Sequence, residues 1–229
     1  MFSPSQILYE DNHIIVINKL PGQIVQGDKT GDRPLVELVK DYIKERDSKP
    51  GNVFMGVAHR LDRPVGGAVV FAKTSKALTR LNDMFRNGSI HKTYWAITRN
   101  SPERPEGMLQ HYITTVERNN KSYAHDTQRP AAKEARLEYR VLAHSDRYTL
   151  VEVRLLTGRK HQIRVQLSAI GCPIKGDLKY GDRRSNPDGS ISLWARHISF
   201  EHPVSHKLLD ITAPLPDDTL WNALSGSMK

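Results

Sequence analysis

Leu137-Glu138-Tyr139-Arg140-Val141, followed across the turn His144-Ser145-Asp146 by Val151-Glu152-Val153-Arg154-Leu155, alternates apolar and polar side chains on both arms. A period of two gives each arm one buried face, and the intervening turn predicts an antiparallel hairpin. Upstream, Gly67-Ala68-Val69-Val70-Phe71-Ala72 reads as a buried strand. Leu78, Leu81 and Phe85 then form an apolar stripe on a helix begun near Thr74-Ser75 and stopped near Gly88. Lys92-Thr93-Tyr94-Trp95-Ala96-Ile97 is the next strand, with Lys92, Tyr94 and Ala96 on one face and Thr93, Trp95 and Ile97 on the other.

The same reasoning extends to both ends. Ile14-Ile15-Val16-Ile17-Asn18 predicts a buried strand stopped by the turn Lys19-Leu20-Pro21-Gly22. Leu35, Leu38, Val39, Tyr42 and Ile43 place an amphipathic helix over 35–46, entered through Pro34. Ile163, Leu167 and Ile170, with Gly171 beyond them, predict a short helix whose first turn is basic. Polar residues 117–133 read as a long connection. Two more strands are expected at 192–200 and 207–213, and a terminal helix at 219–224. Hairpins outnumber right-handed crossovers, so the expected fold is α+β: a largely antiparallel mixed sheet with flanking helices.

The 229 residues carry 34 Lys+Arg against 25 Asp+Glu, a formal charge of +9, with 38% hydrophobic residues. That length predicts a single domain over 1–229. The longest apolar runs fall far short of the ~20 residues that cross a bilayer, and Met1-Phe2-Ser3-Pro4 opens no signal sequence. The expectation is a cytoplasmic protein with no membrane association. One cysteine, Cys172, excludes an internal disulfide and a Cys-rich metal site. The positive charge makes polyanions the first partners to consider, since phosphate backbones reward Lys and Arg through counterion release. Basic residues gather at Gly158-Arg159-Lys160-His161, Lys175-Gly176-Asp177-Leu178-Lys179 and Arg183-Arg184, as the lining of a groove would.

Three segments could carry chemistry. In His59-Arg60-Leu61-Asp62-Arg63-Pro64-Val65-Gly66-Gly67 a carboxylate lies between two arginines, and the proline and glycines exclude a regular central strand. Asp62 therefore sits on a shaped loop, as a surface ion pair or as a reactive group. In Thr157-Gly158-Arg159-Lys160-His161-Gln162-Ile163-Arg164 a glycine loop feeds a helix N-terminus, either a site suited to phosphate or a solvated basic turn. Arg164 lies beside the apolar stripe and calls for a carboxylate, such as Asp62, in a bidentate pair. Tyr94, beside Lys92, is either a packed strand residue or a flat ring for a nucleobase. No phosphate-binding glycine loop, dinucleotide fingerprint or His-Glu-x-x-His occurs, which argues against nucleotide hydrolysis, dinucleotide use and a catalytic metal.

In this order the three segments resemble the RluA-type RNA pseudouridine synthases. His59-Arg60-Leu61-Asp62 is similar to that family's catalytic loop, Lys92-Thr93-Tyr94 to its tyrosine strand, and Thr157-Gly158-Arg159-Lys160-His161-Gln162-Ile163-Arg164 to its arginine motif. Residues 10–19 are similar to its opening strand and turn, so the resemblance runs from about residue 7 to 214. Three positions depart from the family pattern. Val65-Gly66 replaces a usual Thr-Ser pair, Leu20 a frequent proline, and Gln166 a frequent histidine.

The resemblance implies a pseudouridine-synthase-like catalytic domain without the optional N-terminal RNA-binding domain. It implies isomerisation of uridine in structured RNA, ribosomal or transfer, by a monomer with no cofactor and no metal. The N1–C1′ bond breaks, the base turns, and C5 joins C1′, after the nucleotide has been flipped from its stack. It further implies Asp62 as the catalytic carboxylate, Arg164 as its salt-bridge partner, and Tyr94 as the ring stacked on the base and a base for the C5 proton. Arg60 would fill the vacated stack, and Lys92, Arg159, Lys160, His161 and Ile163 complete the substrate-binding set. A non-catalytic RNA-binding protein would have no need of the Asp, Tyr and Arg together. A glycosidase would require a second carboxyl group.

Overall fold

The computed structural model describes residues 2–28 and 30–228 and divides into two compact units, Met1–His91 with Ala195–Pro214 and Lys92–Trp194 with Leu215–Lys229. In the first, β1 (Ile7–Glu10), β2 (Ile14–Lys19), β3 (Gly56–Val57) and β4 (Gly66–Ala72) are joined by β10 (Leu193–Glu201, in this unit from Ala195) and β11 (Leu208–Thr212). β2 lies between β1 and β4, β3 pairs with β4, and β10 pairs with β11, all antiparallel. The run Ile14-Ile15-Val16-Ile17 is apolar on both strand faces because both are covered, and every residue of it is buried.

Two helices belong to this unit. α1 (Leu35–Arg46) begins after Pro34 and turns Leu35, Val36, Val39 and Ile43 inward. Arg46, in its last turn, meets Glu10 through Nη1 at 2.7 Å and Nη2 at 2.9 Å, and Lys73 reaches the same carboxylate at 2.6 Å. α2 (Ser75–Asn87) starts where Thr74 Oγ1 accepts the Ala77 N–H at 3.1 Å, and ends at Gly88 with φ 79°. Its Ala77 and Leu81 share a core with Val16, Val70, Ala72, Ile198 and Phe200.

Gly67 leads out of the Asp62 loop with φ +110°, and a Cβ there would stand 2.3 Å from the Ala195 carbonyl oxygen. Backbone strain and a main-chain clash would act together. Gly67→Ala is expected to cost about 3–5 kcal/mol, read as a lower urea midpoint with an unchanged m-value. A loss below about 1 kcal/mol would contradict the packing.

The second unit orders β5 (His91–Thr98, in this unit from Lys92), β9 (Thr149–Leu155), β8 (Lys133–His144), β6 (Glu106–Val116) and β7 (Lys121–His125) side by side, each pair antiparallel. The hairpin expected from the alternation is β8–β9, with Tyr139 opposite Val153 and Leu137 opposite Leu155. α3 (Gln162–Ala169) sets Val165 against Ile113, Ala135 and Tyr180, and α4 (Thr219–Gly226) sets Trp221 and Leu224 against Ile97, Leu150 and Trp194.

Two expectations are corrected. The stretch 117–133 contains β7, and β6 precedes it. Lys121-Ser122-Tyr123-Ala124-His125 lacks alternation because polar bonds to other elements bury Ser122: its N–H donates to the Tyr180 hydroxyl at 2.8 Å and its Oγ to the Lys160 carbonyl at 2.8 Å. The helix bearing Arg164 begins at Gln162, with His161 at φ 55° as its N-cap, so Arg159 and Lys160 precede its first turn.

Candidate active-site elements

The Asp62 loop lies wholly in the first unit, and its backbone is held from beneath. Lys19, with no exposed surface, donates from Nζ to the carbonyls of Val65 at 2.5 Å, Leu20 at 3.1 Å and Arg63 at 3.2 Å. An ammonium has three protons and no acceptor, so three carbonyls satisfy it. The Gly22 N–H donates to the Arg63 carbonyl at 2.9 Å, and Arg63 Nε donates back to the Gly22 carbonyl at 3.2 Å. Arg63 also pairs with Asp32. The Val65 N–H closes a turn onto the Asp62 carbonyl at 3.0 Å. Burial pulls the Lys19 ammonium down to about 7, opposed by the charge of Asp62 and reinforced by that of Arg63.

This arrangement accounts for two departures from the family pattern. A loop whose carbonyls are gathered on a buried cation is ordered without the Thr-Ser hydroxyls that Val65-Gly66 lacks. Leu20 retains an N–H that proline would remove, and it donates to Gln23 Oε1 at 2.9 Å. Asp62 is half-buried and Arg60 is exposed.

Tyr94, Lys92 and the arginine motif belong to the second unit. Tyr94 is packed in β5 at 7% exposure, opposite Val153. Lys92 is half-buried, its Nζ 3.8 Å from where a Cβ of residue 158 would stand, and desolvation lowers its pKa. Gln162 shapes the loop ahead of α3. Its Oε1 accepts from Thr157 Oγ1 and the Arg159 N–H, both at 2.9 Å, while its Nε2 donates to the Arg136 carbonyl at 3.0 Å. Thr157 and Gln162 thus build the loop on which Arg159 and Lys160 are displayed. Arg159 Nε donates to the Glu134 carbonyl at 2.8 Å, and Lys160 pairs with Glu117 at 3.2 Å. Ile163 is buried in α3, and buried His161 meets the Tyr180 hydroxyl at 2.7 Å through Nδ1.

Arg164 is buried, as its place beside the apolar stripe predicts, with 6% exposure. Its Nε–Nη2 edge holds Asp177: Nε to Oδ2 at 2.7 Å and Nη2 to Oδ1 at 2.9 Å. The guanidinium also lies over the Tyr180 ring, 5.0 Å from its centroid. Neither Asp177 nor Tyr180 is legible from composition, because Lys175-Gly176-Asp177-Leu178-Lys179 reads as a basic cluster. The usable signal was the repeated Gly-Asp in Gly176-Asp177 and Gly181-Asp182 around Tyr180, in which both carboxylates are buried. The third departure, Gln166, is also buried, with Nε2 3.3 Å from the Leu109 carbonyl, 3.2 Å from that of Ala135 and 3.0 Å from His111 Nδ1.

Residues 13–169 match the RNA pseudouridylate synthase family. An uncharacterized RNA pseudouridine synthase of Bacillus subtilis, YlyB, is 31% identical over 93% of this chain and 69% of its own length. The ribosomal large subunit pseudouridine synthase D of Zymomonas mobilis is 32% identical over 94% of this chain and 70% of its own. Among solved structures, human RNA pseudouridylate synthase domain containing 4 superposes with a TM-score of 0.78 at 26% identity, covering 93% of this chain and 89% of that one. The chain belongs to the RNA pseudouridylate synthase family. It is an RNA pseudouridine synthase, an isomerase that acts on RNA. No helix among the described residues is long and apolar enough to cross a membrane.

Proposed function

We propose that the enzyme converts uridine to pseudouridine in structured ribosomal RNA of the large subunit, as a cytoplasmic monomer whose two units serve one catalytic domain. The observation that carries this reading is that Asp62, Tyr94 and Arg164 all fall inside the stretch matched to the family, each on the motif expected for it. The ribosomal target is supported by the name of the Zymomonas relative.

In this reading Asp62 is the catalytic carboxylate and acts once the target nucleotide has been flipped, because the glycosidic bond is inaccessible inside a stack. Arg164 is its cationic partner, and Tyr94 is the ring under the base, assisting removal of the C5 proton. Arg60, Arg159 and Lys160 are exposed and suited to the vacated stack and to phosphates. His161 and Ile163 are buried and suited to shaping the pocket around the base, with Lys92 beside them in the substrate-binding set. The isomerisation is redox-neutral, and this mechanism assigns no step to a metal or cofactor.

The test is pseudouridine mapping of total RNA from cells with the gene, without it, and without it but carrying either wild-type or Asp62→Asn enzyme. The expected outcome is one or more uridines of large-subunit RNA that lose the modification on deletion and regain it only with the wild-type enzyme. Loss confined to transfer RNA would overturn the target and keep the chemistry. Recovery with Asp62→Asn would overturn the role of Asp62.

A further inference from the structure

Arg164 is a buried cation, and a guanidinium that must act on a reacting carboxylate has to keep its plane as well as its charge. Two groups outside the arginine motif fix that plane. Asp177, 1% exposed, takes the Nε–Nη2 edge with two nearly equal bonds of 2.7 and 2.9 Å. Tyr180 supplies a face 5.0 Å from the guanidinium carbon. Edge and face together leave a planar ion little freedom to rotate or slide. The Tyr180 ring is pinned at its hydroxyl by the Ser122 N–H at 2.8 Å and by His161 Nδ1 at 2.7 Å.

The loop carrying both groups has its own support, independent of Arg164. Asp182 accepts from the Gly176 N–H at 2.6 Å and from Arg99 Nε at 2.7 Å. The Asp182 N–H donates to the Asp177 carbonyl at 3.0 Å, and the Tyr180 N–H to the same carbonyl at 3.1 Å. Gly176, at φ +89°, has no room for a Cβ, which would stand 2.8 Å from Asn186 and from the Ser190 carbonyl. The two buried carboxylates therefore divide their work: Asp182 closes the loop, and the side chain of Asp177 is committed to Arg164.

We propose that Asp177 and Tyr180 are positioning residues that hold the Arg164 guanidinium by edge and face in the orientation the reaction uses. The proposal rests on the assignment of Arg164 as the partner of the catalytic carboxylate. Asp177→Asn preserves shape but presents an amide NH2 to guanidinium donors, so one bond becomes a repulsion and the cation can turn.

The experiment is single-turnover tritium release from total RNA labelled with [5-³H]uridine in cells lacking the gene, at saturating enzyme, with RNA affinity measured in parallel. Asp177→Asn is expected to slow release about 100-fold, the scale of a misplacement near one ångström, with affinity within about threefold. Arg164→Lys is expected to be slow as well, and adding Asp177→Asn to it should slow it by less than about threefold, because Asp177 acts through Arg164. Losses that multiply in the double variant would overturn the proposal and mark Asp177 as merely structural. Should Asp177→Asn fail to fold, Tyr180→Phe and Tyr180→Leu carry the same question. The ring-keeping variant, which loses the hydroxyl anchors but keeps the face, should be slowed less than the ring-less one, while equal rates would overturn the clamp. Normal release by Arg164→Lys would remove the assignment beneath the proposal. Slow Arg164→Lys with normal Asp177→Asn would overturn the clamp alone.

Discussion

Asp62→Asn is expected to slow isomerisation by about 10⁴-fold or more in single turnover while changing RNA affinity by less than about tenfold. The substitution is nearly isosteric. It leaves intact the turn closed by the Val65 N–H on the Asp62 carbonyl and the three carbonyls gathered on Lys19. The loop that presents the side chain should therefore keep its shape, and only the carboxylate is lost. Affinity should survive because it comes mainly from phosphate contacts at a chain of charge +9, spread over many Lys and Arg. The salt dependence of binding should likewise be unchanged. Rapid tritium release by the purified variant would remove Asp62 from the chemistry. A large loss of affinity would make it a binding group.

Much of the fold was legible because its signals are local. β2 and β4 each contain an unbroken apolar run, α1 and α2 each carry an apolar stripe, and Thr74 and Gly88 mark the ends of α2 where they were expected. The hairpin β8–β9 follows from alternation alone. The edge of the second unit was not legible, because β6 buries few of its residues and the buried Ser122 of β7 is polar, tied to Tyr180 and Lys160. The reactive candidates were visible as motifs, but the groups that hold them were not. Asp177 looks like one charge among lysines until it meets Arg164, 13 residues away. Lys19 looks like the polar end of a strand before a turn, and only the fold closes the Asp62 loop over it.

That enclosure has a thermodynamic consequence. A lysine titrates near 10.5 in the unfolded chain and about 7 in the folded one, because burial disfavours the ammonium more than Asp62 supports it. Between those values the unfolded chain holds a proton that folded Lys19 has shed, so stability rises with pH. The contribution is complete above 10.5, is lost as pH falls through 7, and is absent below. The difference in unfolding free energy between wild type and Lys19→Met should therefore be flat below about pH 6. It should climb by up to ~1.4 kcal/mol per pH unit from 7 toward 10, in favour of wild type. Taking the difference cancels the other lysines and tyrosines that titrate in the same range. Methionine also removes the Nζ donor from the Val65 carbonyl, at about 1–3 kcal/mol if water cannot reach it, while the Leu20 and Arg63 carbonyls keep the N–H groups of Gln23 and Gly22. The disturbed loop carries Asp62, so Lys19→Met should slow turnover without weakening RNA binding. Asp62→Asn supplies an internal check, since removing the charge that supports the ammonium should move the onset of the climb below pH 7. Urea titrations from pH 5.5 to 9.5 measure all three proteins. Parallel wild-type and Lys19→Met curves would mean that Lys19 keeps an ordinary pKa and that the loop is not held by a strained, desolvated ammonium.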